Sequence, residues 1–150
     1  STETTSTETT STETTSTETT STETTSTETT STETTSTEAA NNTYNITVTA
    51  QSSSNYILSG SDQNGNVSGN DPSISAKVGD TFSFNVNSPG HPFYLIVVSN
   101  GGTDSNNLID GVSNNGASNG TVSWTPTAAG TYYYICEYHP SMIGTITITE

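Results

Sequence analysis

The first 38 residues limit where this chain can build a folded core. They repeat Ser-Thr-Glu-Thr-Thr without variation, in seven full copies and a truncated eighth. The repeat has no apolar side chain to form the stripe of a coiled coil or solenoid. Low hydrophobicity and evenly spaced negative charge predict an extended, solvated segment. We therefore predict a low-complexity stalk or linker at residues 1–40 and one folded domain at residues 41–150.

The repeat has two interpretations. As a stalk, O-glycosylated on its hydroxyl side chains, it would hold the domain away from a surface, with a stretched reach on the order of 125 Å. As a disordered tail, it would add only solubility. N-glycosylation sequons at Asn41, Asn45, Asn66 and Asn119 favour a secreted or cell-surface glycoprotein. The chain begins without Met or a signal peptide, so we expect it to be a processed form.

Charge narrows the set of partners. The formal net charge is −14, and Lys77 is the only basic residue, which argues against nucleic acid and anionic membranes. Eight of the fifteen acidic residues are repeat glutamates, so the rest of the chain has seven acidic side chains against Lys77, or −6. No apolar run approaches the roughly 20 residues that span a bilayer, so we expect no membrane insertion.

From Tyr44 onward the pattern predicts an all-β domain. Apolar residues alternate with polar ones over 44–50, 74–78 and 82–86, as in half-buried strands. The continuous apolar run 93–98 predicts a central strand, and further strands are expected at 121–124, 131–136 and 145–149. Gly and Asn clusters predict loops at 59–71, 99–107 and 113–120. The count favours a Greek-key β-sandwich of about seven to eight strands.

Three rare residue types are concentrated in one motif. The chain has two histidines, one cysteine and one methionine, and Cys136-x-x-His139-x-x-Met142 contains three of these four. His91 lies 45 residues earlier, before the apolar run. Singly, each residue has an ordinary explanation in packing or solvation. Together, a thiolate, two imidazoles and a thioether are the ligands of a type 1 copper site, which favours metal binding.

These segments resemble the cupredoxins, the blue copper proteins. "KVGDTFSFNV", "GHPFYL", "WTPTAAGTYYYICEYHPSM" and "GTITIT" are similar to successive blocks of that family, and the resemblance covers residues 41–150. The spacing of the Cys-His-Met motif is most similar to amicyanin, since plastocyanins place two more residues before the methionine. The resemblance implies one type 1 copper bound by His91, Cys136, His139 and Met142, with Met142 as the long axial ligand.

The sequence departs from this resemblance at two positions. In plastocyanin-like relatives the residue after the first histidine donates its N–H to the cysteine sulfur, but Pro92 has no N–H. With one hydrogen bond fewer, the thiolate would be more electron-rich. This would favour Cu(II) and lower the reduction potential of the copper. Ile135 stands where plastocyanins have an exposed tyrosine, so we expect electrons to leave through His139. The resemblance implies a small apolar docking patch around His139 for a redox partner, drawn here from Pro89, Gly90, Pro92, Pro140 and Met142.

The sequence is compatible with three functions. The first is a non-enzymatic electron carrier with one copper, spaced by the stalk. The alternative is a structural subunit of a surface layer or filament, built on the same fold and self-assembling through the repeat. Copper storage is a third. Two histidines cannot supply the clusters of the copper oxidases, so we expect no enzyme. We expect Tyr132, Tyr134 and Trp124 to pack in the core rather than relay electrons.

Overall fold

The computed structural model describes residues 40–150, and these residues form two β-sheets. A five-stranded sheet has the order β3-β2-β1-β5-β7, and a four-stranded sheet has the order β4-β9-β8-β6. The strands are β1 Thr43–Ala50, β2 Tyr56–Asp62, β3 Gly65–Asn70, β4 Ile74–Lys77, β5 Thr81–Asn87, β6 Phe93–Ile96, β7 Asn119–Trp124, β8 Gly130–Cys136 and β9 Ile143–Thr149. The predicted all-β sandwich is confirmed, with nine strands in the described part. The repeat lies outside these residues, and the division of the chain after residue 40 stays a prediction.

Alternating side chains build the core between the two sheets. In β1, Ile46 and Val48 are fully buried, and the parallel partner β5 places Phe84 opposite Ile46. The four-stranded sheet contributes residues such as Tyr134 and Ile146 to the same apolar cluster. Period-two alternation on both sheets therefore produces one shared core, as the sequence pattern predicts.

The loop predicted at 59–71 is wrong. Residues 56–70 form an antiparallel hairpin, in which β2 and β3 pair with Asp62 opposite Gly65. β3 buries only Val67 and is otherwise exposed. Its Gly, Asn and Ser composition is typical of a loop, and the strand forms because the backbone hydrogen bonds of β2 need a partner.

The central position predicted for the run 93–98 is also wrong. β6 ends at Ile96 and is an edge strand of the four-stranded sheet, while Val97 and Val98 are 42% and 49% exposed. The amide of Asn115 covers this edge, accepting from Leu95 N at 2.7 Å and donating to Leu95 O at 3.1 Å. A side chain thus supplies the hydrogen bonds of a neighbouring strand.

Strand pairing brings the candidate ligands to one end of the four-stranded sheet. β8 lies between β9 and β6, and Cys136 at the end of β8 pairs with Phe93 at the start of β6. His91 precedes β6, whereas His139 and Met142 lie between β8 and β9. Both ligand-bearing loops therefore meet beside Cys136.

Among residues 40–150, no helix is long and apolar enough to cross a membrane.

Candidate metal centre

Cys136 is held by regular backbone pairing. It is the last residue of β8, is 1% exposed and belongs to the apolar core cluster. Its thiol is free, so its sulfur is available as a ligand. A strand end fixed on both sides by neighbouring strands keeps the sulfur in place, which a site of low reorganisation requires.

His91 lies in a tight turn between β5 and β6. The N–H of His91 donates to Ser88 O at 2.9 Å, and the Ser88 hydroxyl donates to His91 O at 2.9 Å. Gly90 has a φ of 80°, a left-handed conformation that favours glycine. Ser88 is buried, so the turn is anchored to the domain from inside.

The loop between β8 and β9 is closed by two backbone hydrogen bonds. Cys136 N donates to Met142 O at 3.0 Å, and Met142 N donates to His139 O at 2.9 Å. These bonds place Met142 directly beside Cys136, and its side chain is fully buried. Short spacing in the motif thus folds all three residues into one compact loop.

Three donor atoms converge at the centre. Cys136 Sγ lies 3.5 Å from His139 Nδ1 and 3.8 Å from His91 Nδ1, and the two Nδ1 atoms are 3.1 Å apart. One ligand atom from each residue fits within 4.8 Å of the other two. Ligands at about 2.1 Å around a trigonal metal would be roughly 3.6 Å apart, so the arrangement fits a transition metal. Both imidazoles present Nδ1 to the centre.

The donor chemistry fits copper. Thiolate and thioether suit Cu(I), and imidazole suits both oxidation states. The predicted His91, Cys136 and His139 are brought together, and Met142 is buried next to them in the same loop. Its role as an axial ligand stays a prediction at this point.

Tyr56 is a neighbour of the centre that the sequence did not indicate. Its hydroxyl lies 3.0 Å from the carbonyl oxygens of both His91 and Pro92. Burial raises the pKa of Tyr56 well above its ordinary value, and the negative charge of Cys136 raises it further. Tyr56 is 35 residues from His91 in the chain, and only the packing of the two sheets against each other reveals this proximity.

Pro92 directly follows His91, at the position where the sequence predicts that a backbone donor to the Cys136 sulfur is missing. Its carbonyl accepts hydrogen bonds from Tyr56 and from Glu137 N, the latter at 3.3 Å. The imide nitrogen has no proton to offer Cys136. The lowered reduction potential stays a prediction.

The surface beside His139 differs in part from the predicted patch. Pro89, Gly90 and Pro140 are exposed, and Pro92 is half-buried. Met142 is 0% exposed, so its inclusion in the patch is wrong: the hydrogen bonds of the loop turn its side chain into the core. Tyr138, a neighbour of the patch that the sequence did not indicate, is 64% exposed.

The remaining candidate residues have clear positions. Tyr134 and Trp124 are buried in the core, and Tyr132 packs against it, which confirms their expected packing. The sequon residues Asn41, Asn45, Asn66 and Asn119 are all exposed. Their glycosylation stays a prediction.

Fold and donor set together define the class of protein: a β-sandwich with the cupredoxin fold, carrying a Cys-His-His cluster with a buried methionine beside it. No family profile matches the sequence, and no curated protein matches it. Solved structures do resemble it. A methionine-to-leucine variant of rusticyanin has a TM-score of 0.50 at 20% identity, covering 73% of this chain and 79% of that chain.

Two further structures are similar at lower scores. A rusticyanin described as a copper protein has a TM-score of 0.49 at 22% identity, over 73% of this chain and 80% of that one. A purple cupredoxin from Nitrosopumilus maritimus has a TM-score of 0.37 at 20% identity, over 51% and 77%. At these identities the likeness concerns the fold alone. The chemistry of the site depends on the residues of this chain.

Proposed function

We propose that this domain is an electron-transfer protein carrying one type 1 copper bound by His91, Cys136 and His139, with Met142 as the long axial ligand. The observation that carries the proposal is the convergence of three soft and nitrogen donor atoms within 4.8 Å of one another. When bound, copper would supply a one-electron couple between Cu(I) and Cu(II).

The protein's own contribution is rigidity. Cys136 is fixed by strand pairing, His91 by the Ser88 turn and His139 by the loop that Met142 closes. A site whose ligands cannot rearrange needs little reorganisation when the charge changes, so electron transfer is fast. Burial of Cys136 and Met142 keeps water away from the sulfur atoms.

Electrons leave through the imidazole of His139 under this proposal. His139 is partly exposed and stands beside the exposed Pro140 and Tyr138. With Pro89, Gly90 and Pro92, these residues form the proposed docking patch. A small patch of this kind suits brief encounters with a redox partner.

We place the protein outside the cell, with the repeat as a stalk that holds the domain away from a surface. Exposed sequons and the composition of residues 1–38 support this location. Mass spectrometry of the native protein would identify glycans at Asn66 and on the repeat, and a mass equal to that of the bare chain would contradict the glycosylated stalk.

A second function is a structural subunit of a surface layer or filament. The observation favouring it is that β3, an edge strand of the five-stranded sheet, exposes five of its six residues. Edge strands can pair with a strand of another chain. Electron microscopy of native material would decide between a soluble carrier and an assembled filament.

The electron-carrier proposal is tested by the visible spectrum of the oxidised, copper-loaded protein. We expect an intense blue band from charge transfer between the Cys136 thiolate and Cu(II). Cys136→Ala should abolish it, whereas Ser141→Ala in the same loop should retain it. A colourless wild-type protein, or a band that survives Cys136→Ala, would contradict the proposed site.

A further inference from the structure

The hydroxyl of Tyr56 contacts the loop that carries His91. Its oxygen is 3.0 Å from the carbonyl oxygens of both His91 and Pro92, so one proton is shared between two consecutive acceptors. We propose that Tyr56 is a positioning residue, whose hydroxyl holds the His91–Pro92 backbone so that the imidazole of His91 faces Cys136. This inference rests on the proposed metal centre.

Tyr56 is itself immobilised from several sides. Its side chain is fully buried, and its N–H donates to Asp71 Oδ1 at 2.9 Å. The ring meets Phe93 edge to face at 5.2 Å and Tyr134 at 6.3 Å. Rings in such contacts have one packed orientation, so the hydroxyl has a fixed position.

The contact crosses the sandwich. Tyr56 begins β2 in the five-stranded sheet, whereas Phe93 and Tyr134 belong to the four-stranded sheet. Tyr56 therefore links the His91 turn to the framework of the opposite sheet. Ser88, the other side-chain donor to the His91 carbonyl, lies within the turn itself and cannot provide such a link.

Pro92 makes this link more important. Because proline has no N–H, the backbone there can only accept hydrogen bonds. Its carbonyl receives Tyr56 from one side and Glu137 N from the loop that bears His139. The two ligand loops thus meet at one carbonyl, and the Tyr56 hydroxyl is the contact that ties this junction to the core.

The test compares two tyrosine-to-phenylalanine variants. Tyr56→Phe keeps the ring and removes the hydroxyl at His91. Tyr134→Phe is the matched control: it is equally buried, also packs on Phe93, and its hydroxyl donates to Pro72 O at 2.8 Å instead of to the ligand turn. Affinities for Zn(II) and Co(II) are measured on the reduced full-length protein by competition with a chelator.

We expect Tyr56→Phe to bind both ions about 10- to 100-fold more weakly, the usual effect of removing a group that orients a ligand. Tyr134→Phe should bind them as the wild type does, even though it loses a buried hydrogen bond. In the copper-loaded protein, Tyr56→Phe should also shift the blue band, because the His91 imidazole is less constrained. Wild-type affinity in Tyr56→Phe, or an equal loss in both variants, would overturn the inference.

Two further arms keep the result interpretable. If Tyr56→Phe does not fold, Ser88→Ala removes the other side-chain donor to the His91 carbonyl, and unchanged Zn(II) affinity there would overturn the role of this carbonyl. If the wild-type protein gives no blue band with copper, the proposed function fails, while the Zn(II) comparison still decides the role of Tyr56.

Discussion

At the scale of single residues, Asp71 holds the backbone of Tyr56 in place. Asp71 has a φ of 42°, and it exchanges two hydrogen bonds with Tyr56: its N–H donates to Tyr56 O at 2.8 Å, and its Oδ1 accepts from Tyr56 N at 2.9 Å. Burial raises the pKa of the Asp71 carboxyl, and the Tyr56 N–H partly opposes this. The surroundings of the Asp71 carboxyl therefore favour its neutral form over its charged form.

Asp71→Asn should change how stability depends on pH. The raised pKa means that the folded wild type binds this proton more tightly than the unfolded chain. Its favourable contribution is therefore complete below the ordinary pKa and is lost as pH rises through the folded value. Asn keeps the left-handed backbone and the acceptor oxygen but does not titrate.

The free energy of unfolding in urea, measured on metal-free protein, checks this. The advantage of the wild type over Asp71→Asn should shrink as pH rises above the ordinary pKa of an aspartate, because the pKa of the Asp71 carboxyl is raised. Asp110→Asn, which removes the same charge at an exposed position, serves as the control. An advantage that grows with pH would contradict the raised pKa.

The candidate ligand residues could be recognised in the sequence because they are rare. A chain with one cysteine and two histidines leaves few combinations, and the spacing of Cys136, His139 and Met142 matches a known chemistry. Tyr56 was not predictable in this way, since its proximity to His91 depends on how the two sheets pack against each other. The burial of Met142 depends on two backbone hydrogen bonds within a loop, which composition does not encode.

At the scale of elements, the segment after β6 has no regular strand. Side chains in this segment make hydrogen bonds of the kind that a neighbouring strand would make. Asn107 is 6% exposed and acts as a strand partner for Val98: its Oδ1 accepts from Val98 N at 2.9 Å, and its Nδ2 donates to Val98 O at 3.0 Å and to Gly102 O at 2.7 Å. Apolar periodicity predicts β1 and β5 well but says nothing of such polar contacts. This is why β6 was wrongly expected to be central.

Asn107→Ala should destabilise the domain by about 1–3 kcal/mol, because it removes the three hydrogen bonds that the buried amide of Asn107 makes to the backbone of Val98 and Gly102. Asn106→Ala, at the exposed neighbouring position of the same 3₁₀ helix, should change stability by less than about 0.5 kcal/mol. Denaturant unfolding measures both. Equal effects of the two substitutions would show that the side chain of Asn107 does not support the edge.

At the scale of the whole molecule, the net charge and the proposed route of electron transfer through His139 together determine which redox partners react fastest. The chain carries −14 formal charges, with Lys77 as its single basic residue. Its field favours encounters with cationic partners and slows those with anionic ones. The exposed Glu137 lines a surface cavity together with Cys136 and Pro140, which brings one of these charges close to the docking patch.

A comparison of Glu137→Gln with Glu150→Gln distinguishes the effect of a charge close to His139 from the effect of the net charge. Both remove one negative charge, but Glu150 follows β9 at the end opposite Met142, a strand length of about 23 Å away. Exposed charges are screened within about 10 Å at 0.1 M salt. If electrons pass through His139, Glu137→Gln should slow reduction by a cationic metal complex several-fold more than Glu150→Gln does. Stopped-flow rates at two salt concentrations measure the difference, which should narrow at high salt. Equal slowing by the two variants would mean that the complex does not dock beside His139.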